Sequence, residues 1–135
     1  MSNGLSPELF WLSATALLTA LMWVPYTLQL IGEMGIVSAF WDPYHETPIT
    51  SRWGQRAKRA HVNAVENLAV FAPLALAVHG TGLGNATTAA ACAAYFAARA
   101  AHYVVYVLAV PLVRSLLFVA GVGCQIILAA RLLGA

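Results

Sequence analysis

Four nearly unbroken apolar runs, residues 9–31, 62–78, 86–110 and 112–133, take up most of this 135-residue chain. Each is close to the roughly 17 to 25 residues that a helix needs to cross the hydrocarbon of a bilayer. Only 9% of the residues are charged, against about a quarter in soluble domains. The reading that follows is an all-α integral membrane protein. It is expected to be a single domain over residues 1–135, folded as a four-transmembrane-helix antiparallel bundle. The start, MSNGLSPELF, lacks the basic residues of a cleaved leader, so the first run is expected to remain as a span.

Local signals mark where the helices begin and turn. Ser6, Pro7 and Glu8 give an N-cap, a first-position proline and an acid at the positive end of the helix dipole. Residues 41–55 form the long polar connection, in which Pro43 and Pro48 oppose a continuous helix and Trp41 and Trp53 suit a headgroup layer. Residues 79–88 make a short glycine-containing turn, and Pro111 is placed to open the last helix. Arg52, Arg56, Lys58 and Arg59 gather at the first connection and no Lys or Arg falls in the second. The positive-inside rule therefore puts the first connection in the cytoplasm and both termini outside, with a bacterial inner membrane as the expected location. The alanine-rich residues 86–101 predict a helix that packs closely on its neighbours.

Several function classes drop out. The formal charge of +2 is too small and too local for a nucleic-acid partner. Cys92 and Cys124 lie within apolar runs without redox or metal-ligand spacing, so they read as small buried hydrophobes, and no metal site is expected. No pair of broken helices suggests a transporter.

The polar residues inside the runs have a pattern. At 100° per residue, Arg56, Arg59, Asn63, Glu66 and Asn67 share one face of the second helix. Arg99, His102 and Tyr106 form a second face on the third helix, and Arg114 follows just inside the fourth. Alternating spans bring the two faces to one depth near the cytoplasmic side. Glu66 and Arg99 would cost a few kcal/mol against lipid, so both are expected to be buried, with an arginine–carboxylate pair between them or with Arg56 or Arg59. Lys58, Arg52 and His61 read as headgroup contacts. Asn63, Asn67, His102 and Tyr106 could each serve as packing residues alone. The surplus of guanidinium groups over carboxylates favours an anion-binding pocket, suited to a carboxylate-bearing, peptide-like ligand.

Residues 56–76, RAKRAHVNAVENLAVFAPLAL, resemble the second-helix signature of the MAPEG family, the membrane-associated proteins in eicosanoid and glutathione metabolism. Arg56, Arg59, Ala60, Asn63 and Glu66 match its R-x-x-R-A-x-x-N-x-x-E in register. Residues 98–116, ARAAHYVVYVLAVPLVRSL, resemble the family's third-helix end and fourth-helix start through Arg99, His102, Tyr106, Arg114 and Ser115. The compact chain is similar to bacterial members.

That resemblance implies a homotrimer with glutathione bound between subunits as co-substrate. Arg56, Arg59, Asn63 and Glu66 would hold the tripeptide, with Arg99, His102 and Tyr106 on the opposite wall. Arg114, with Tyr106, would stabilise the thiolate for attack on a lipophilic small-molecule substrate entering from the membrane lipids, as in a transferase or peroxidase. Two departures stand out. The end of the first span reads YTLQLIGEMG, with Glu33 where family members usually carry a base, and the Tyr106-to-Arg114 link is one residue short. A non-catalytic scaffold binding a lipid or other amphiphilic anion is the competing reading.

Overall fold

The computed structural model describes residues 4–41 and 49–134. Helix α1 is Pro7–Leu21, α2 Trp23–Met34, α3 Ile36–Phe40, α4 Arg52–Gly80, α5 Ala86–Val107 and α6 Pro111–Leu133. Three helical stretches are long and apolar enough to cross a membrane: Pro7–Met34, Arg52–Gly80 and Pro111–Leu133. Helix α5 completes the bundle, packed against α1, α4 and α6. Its buried face carries Thr88, Tyr95, Arg99 and His102, and such a polar face lowers hydropathy while being shielded by neighbours. The first run is two helices, because Pro25 has no N–H and its ring opposes the carbonyl four residues back, that of Leu21, where α1 ends. The break is braced from α5 by the Tyr103 hydroxyl, which donates to the Met22 carbonyl at 3.0 Å.

One boundary expected from sequence shifts. The polar connection was expected to run to residue 55, but α4 starts at Arg52. Its N-terminus is held from α2 by the Glu33 carboxylate, which accepts from the backbone N–H of Thr50 at 2.9 Å and of Ser51 at 3.0 Å. That support lets the helix begin before the apolar run does. The prolines of the connection, Pro43 and Pro48, lie outside the described residues.

Both ends of the bundle are fastened by polar contacts. At one end, Glu8 on α1 is buried and accepts from the Thr88 hydroxyl at 2.6 Å. The carboxylate thus sits beside the positive N-terminal ends of α1 and α5, which offsets its burial. Thr88 and Asn85 also form the α5 capping box, and Arg131 of α6 donates to the Leu83 carbonyl at 2.9 Å. Between the ends lies an apolar core in which Phe71 and Tyr95 stack at 3.8 Å. Cys92 and Cys124 are free and buried there, as small hydrophobes.

The two tight helical connections use one device with different residues. After α4, Leu83 N–H bonds to the Val78 carbonyl and Gly82 N–H to that of His79, with Gly82 at φ 68°. After α5, Val110 N–H bonds to the Val105 carbonyl and Ala109 N–H to that of Tyr106, with Ala109 at φ 61°. Both are Schellman turns, whose left-handed position is normally glycine. The second carries an alanine, a strained choice, and from it α6 starts at Pro111.

Candidate functional site

At the end of the bundle where α4 begins and α5 gives way to α6, two cavities adjoin. The first, of about 430 Å³, is lined by Ile49, Gln55, Lys58, Arg59, Val62, Asn63, Glu66 and Tyr106. The second, of about 310 Å³, is lined by Asn63, His102, Tyr106, Arg114, Ser115, Phe118 and Val119. Each reaches the lower range of small-ligand sites. Asn63 and Tyr106 belong to both and form the wall between them.

Helical spacing explains the lining. Gln55, Lys58, Arg59, Val62, Asn63 and Glu66 follow the steps of three and four that keep one face of α4 in view. His102 and Tyr106 are one turn apart on α5, with their rings 5.5 Å apart. Arg114 is brought to them by the Schellman turn, and its guanidinium lies over the Tyr106 ring at 5.0 Å. The short link between Tyr106 and Arg114 therefore leaves the arginine in phase with the site.

Six of the residues anticipated from sequence line these cavities: Arg59, Asn63, Glu66, His102, Tyr106 and Arg114. Arg56 and Arg99 line neither. Arg56 turns its Nε to the Val107 carbonyl at 2.8 Å, holding the negative C-terminal end of α5. Arg99 is 2% exposed. Its Nη1 donates to Asn63 Oδ1 at 3.3 Å and its Nη2 to the Leu117 carbonyl at 3.2 Å. The expected arginine–carboxylate pair is thus replaced by an amide and a carbonyl. Glu66 is exposed, not buried, because its position on α4 points into the open first cavity while Asn63, one turn back, faces Arg99.

Lys58 was assigned to headgroups by sequence, yet it lines the first cavity. The signal was available, since Lys58 and Glu66 are two turns apart on one face. Ile49 and Gln55 were not legible, because residue 49 comes from the connection before α4 and Gln55 was read as loop. Gln55 Nε2 donates to the Ile49 carbonyl at 2.8 Å, which closes that edge of the cavity. His61 bonds across to the Tyr26 hydroxyl at 2.8 Å, so it joins α4 to α2 and is not a headgroup contact.

Chemically the site offers cationic groups (Lys58, Arg59, Arg114), one carboxylate (Glu66), two amides (Gln55, Asn63), an imidazole (His102), a hydroxyl (Ser115) and a phenol (Tyr106), with apolar side chains in both cavities. That set suits an anionic ligand with polar hydrogen-bonding groups, placed beside a lipid-facing surface. No curated protein and no solved structure matches the chain. The model of the MAPEG family matches residues 9–134. With nearly the whole chain covered, and with membrane-length helices bearing the matched residues, this is an integral membrane protein of the glutathione and eicosanoid metabolism type, and the chain belongs to the MAPEG family.

Proposed function

We propose that the protein is a membrane-bound glutathione-dependent transferase or peroxidase acting on lipophilic electrophiles, with Arg114 stabilising the glutathione thiolate. The observation that carries the reading is the wall shared by the two cavities. Asn63 and Tyr106 join a chamber of peptide-anchoring groups, Lys58, Arg59 and Glu66, to a chamber holding Arg114. A thiol tripeptide anchored by its carboxylates and ammonium in the first would extend its sulfur toward the second.

A guanidinium favours the thiolate over the thiol by direct charge attraction. The thiolate sulfur then forms a bond to an electrophilic carbon as the carbon's bond to its leaving group breaks, and the pair of electrons departs with that group. With a hydroperoxide, sulfur attacks oxygen, the O–O bond breaks and the alcohol leaves after protonation. A second glutathione thiol then displaces water from the sulfenic acid to give the disulfide. The Tyr106 hydroxyl is a second donor toward the sulfur. Arg56, through the Val107 carbonyl at the end of α5, and His102, packed on Tyr106, support the wall that the two chambers share.

The open, exposed α4 face with Arg59 and Glu66 supports completion of the site by a neighbouring copy in a homotrimer, with the α4 N-terminus on the cytoplasmic side. Purified protein in mild detergent, supplied with glutathione and either an aryl halide or a lipid hydroperoxide, tests the activity. Absence of both turnover and glutathione binding refutes it, and a fully active monomer refutes the trimer.

One observation favours the non-catalytic alternative. The end of α2 presents Glu33, already engaged by Thr50 and Ser51, so no base there clamps a ligand carboxylate. Native mass spectrometry that retains a lipid anion and never glutathione would select it.

A further inference from the structure

Arg99 is the most deeply buried cation among the described residues, and among them it meets no carboxylate. Its guanidinium lies 5.6 Å from the centre of the Tyr95 ring and 5.7 Å from that of Phe118, while its Nε has no hydrogen-bond partner. What makes room for it is Gly121 on α6. A Cβ there would stand 2.8 Å from Arg99 Nη2 and 3.2 Å from Cζ, so the guanidinium would have to shift away from it. The guanidinium is therefore seated on the bare backbone of α6, held to the Leu117 carbonyl on one side and to Asn63 on the other.

Arginine only donates hydrogen bonds. Whatever faces Arg99 from Asn63 must be the amide oxygen, so the amide NH₂ is left to point elsewhere. The Asn63 side chain is thereby polarised: its acceptor is taken inside the protein and its two donors remain. Asn63 also lines both cavities.

We propose that Gly121 and Arg99 are a positioning unit that fixes Asn63 as a hydrogen-bond donor toward the site, so that the ligand group it meets is a carbonyl or carboxylate oxygen. The inference rests on the proposed thiol-peptide site for its ligand and on Arg99, Gly121 and Asn63 alone for its geometry. Neither Arg99 nor Gly121 lines the cavities, so each acts through Asn63.

The test is a double-substitution cycle in the full-length protein in detergent, using Gly121→Ala, Asn63→Ala and the pair, with Arg99→Lys and Asn63→Asp alongside. Glutathione affinity is read by equilibrium dialysis. One hydrogen bond corresponds to roughly a three- to tenfold loss in each single variant, with no further loss in the pair. Asn63→Asp, which offers Arg99 a carboxylate and the ligand no donor, should bind at least as poorly as Asn63→Ala while melting higher. Arg99→Lys should keep part of the affinity. At saturating glutathione the ultraviolet signature of the thiolate should match wild type in Gly121→Ala, because Arg114 is untouched, whereas general loosening of the site would diminish it.

Additive losses in the pair, or wild-type affinity in Asn63→Asp, overturn the proposal. Thermal midpoints of the four ligand-free proteins read the Gly121–Asn63 coupling directly. If wild type binds no glutathione, the proposed activity fails while these midpoints still decide the positioning unit: coupled effects sustain it and additive effects overturn it.

Discussion

Replacing Arg114 with alanine separates chemistry from folding, because the two consequences work out very differently. Arg114 is the fourth residue of α6, in the first turn beginning at Pro111. A cation there opposes the helix dipole by about 0.3–1 kcal/mol, while its contact with the Tyr106 ring contributes about 0.5–1 kcal/mol in return. Removing both leaves stability changed by less than about 0.7 kcal/mol, so the variant should fold. The effect on a bound thiol is larger. An unperturbed thiol ionises near about 8.5, and an opposite charge at close range lowers this by about one to three units. For a shift of about two units, the thiolate fraction at pH 7 falls from roughly three-quarters to about 3% when the guanidinium is lost, close to 25-fold in turnover.

The sign follows from the lowered thiol pKa: the loss is greatest near neutrality and is recovered as pH rises through the unperturbed value. Affinity for glutathione should fall much less, since Lys58, Arg59 and Glu66 lie in the other cavity. Ultraviolet titration of bound glutathione in wild type and Arg114→Ala is the assay. An unchanged thiolate pKa would refute the reasoning and make the Tyr106 hydroxyl the better candidate for holding the sulfur.

Three structural predictions accompany it. Ala109→Gly should stabilise the protein by a few tenths to about 1 kcal/mol, the left-handed strain less the extra freedom of glycine when unfolded, and so raise the thermal midpoint. Gly82→Ala should lower it by a similar amount, since a Cβ at Gly82 meets nothing within 4 Å and only backbone strain is added. Equal responses at the two turns would contradict the Schellman assignment. Thr88→Val should cost roughly 2–4 kcal/mol, because it removes the reciprocal half of the α5 capping box, the bond from the Asn85 N–H to the Thr88 hydroxyl, and leaves the Glu8 carboxylate buried without its donor. The same substitution in a Glu8→Ala background should cost clearly less, and equal costs in denaturant melts would sink the clamp. Tyr103→Phe should free the Met22 carbonyl at the α1–α2 break at about 1 kcal/mol, seen as faster amide exchange confined to residues around Met22; unchanged exchange there would rule out the brace.

The apolar runs and the gathering of their polar residues at one end of the bundle were legible in the sequence alone. Apolar length dictates helices through a membrane, since burial in hydrocarbon leaves little choice to so apolar a chain. Periodicity then groups Arg59, Asn63 and Glu66 on one helix face and His102 with Tyr106 on another, because those angular relations are local. What required the tertiary structure was every relation across helices. Glu66 and Asn63 stand one turn apart in sequence, but only packing against α5 decides that Asn63 meets Arg99 while Glu66 faces an open cavity. Arg56 and Arg59 look interchangeable in the chain, yet the first ends on the Val107 carbonyl and the second lines the site. Arg99 reads as a ligand-binding arginine until Gly121, 22 positions later in the sequence, supplies the gap that its guanidinium fills. A one-dimensional pattern fixes which way a side chain leaves its own helix. What occupies the space it enters is set by other helices, whose rotation and depth depend on contacts distributed along their whole length.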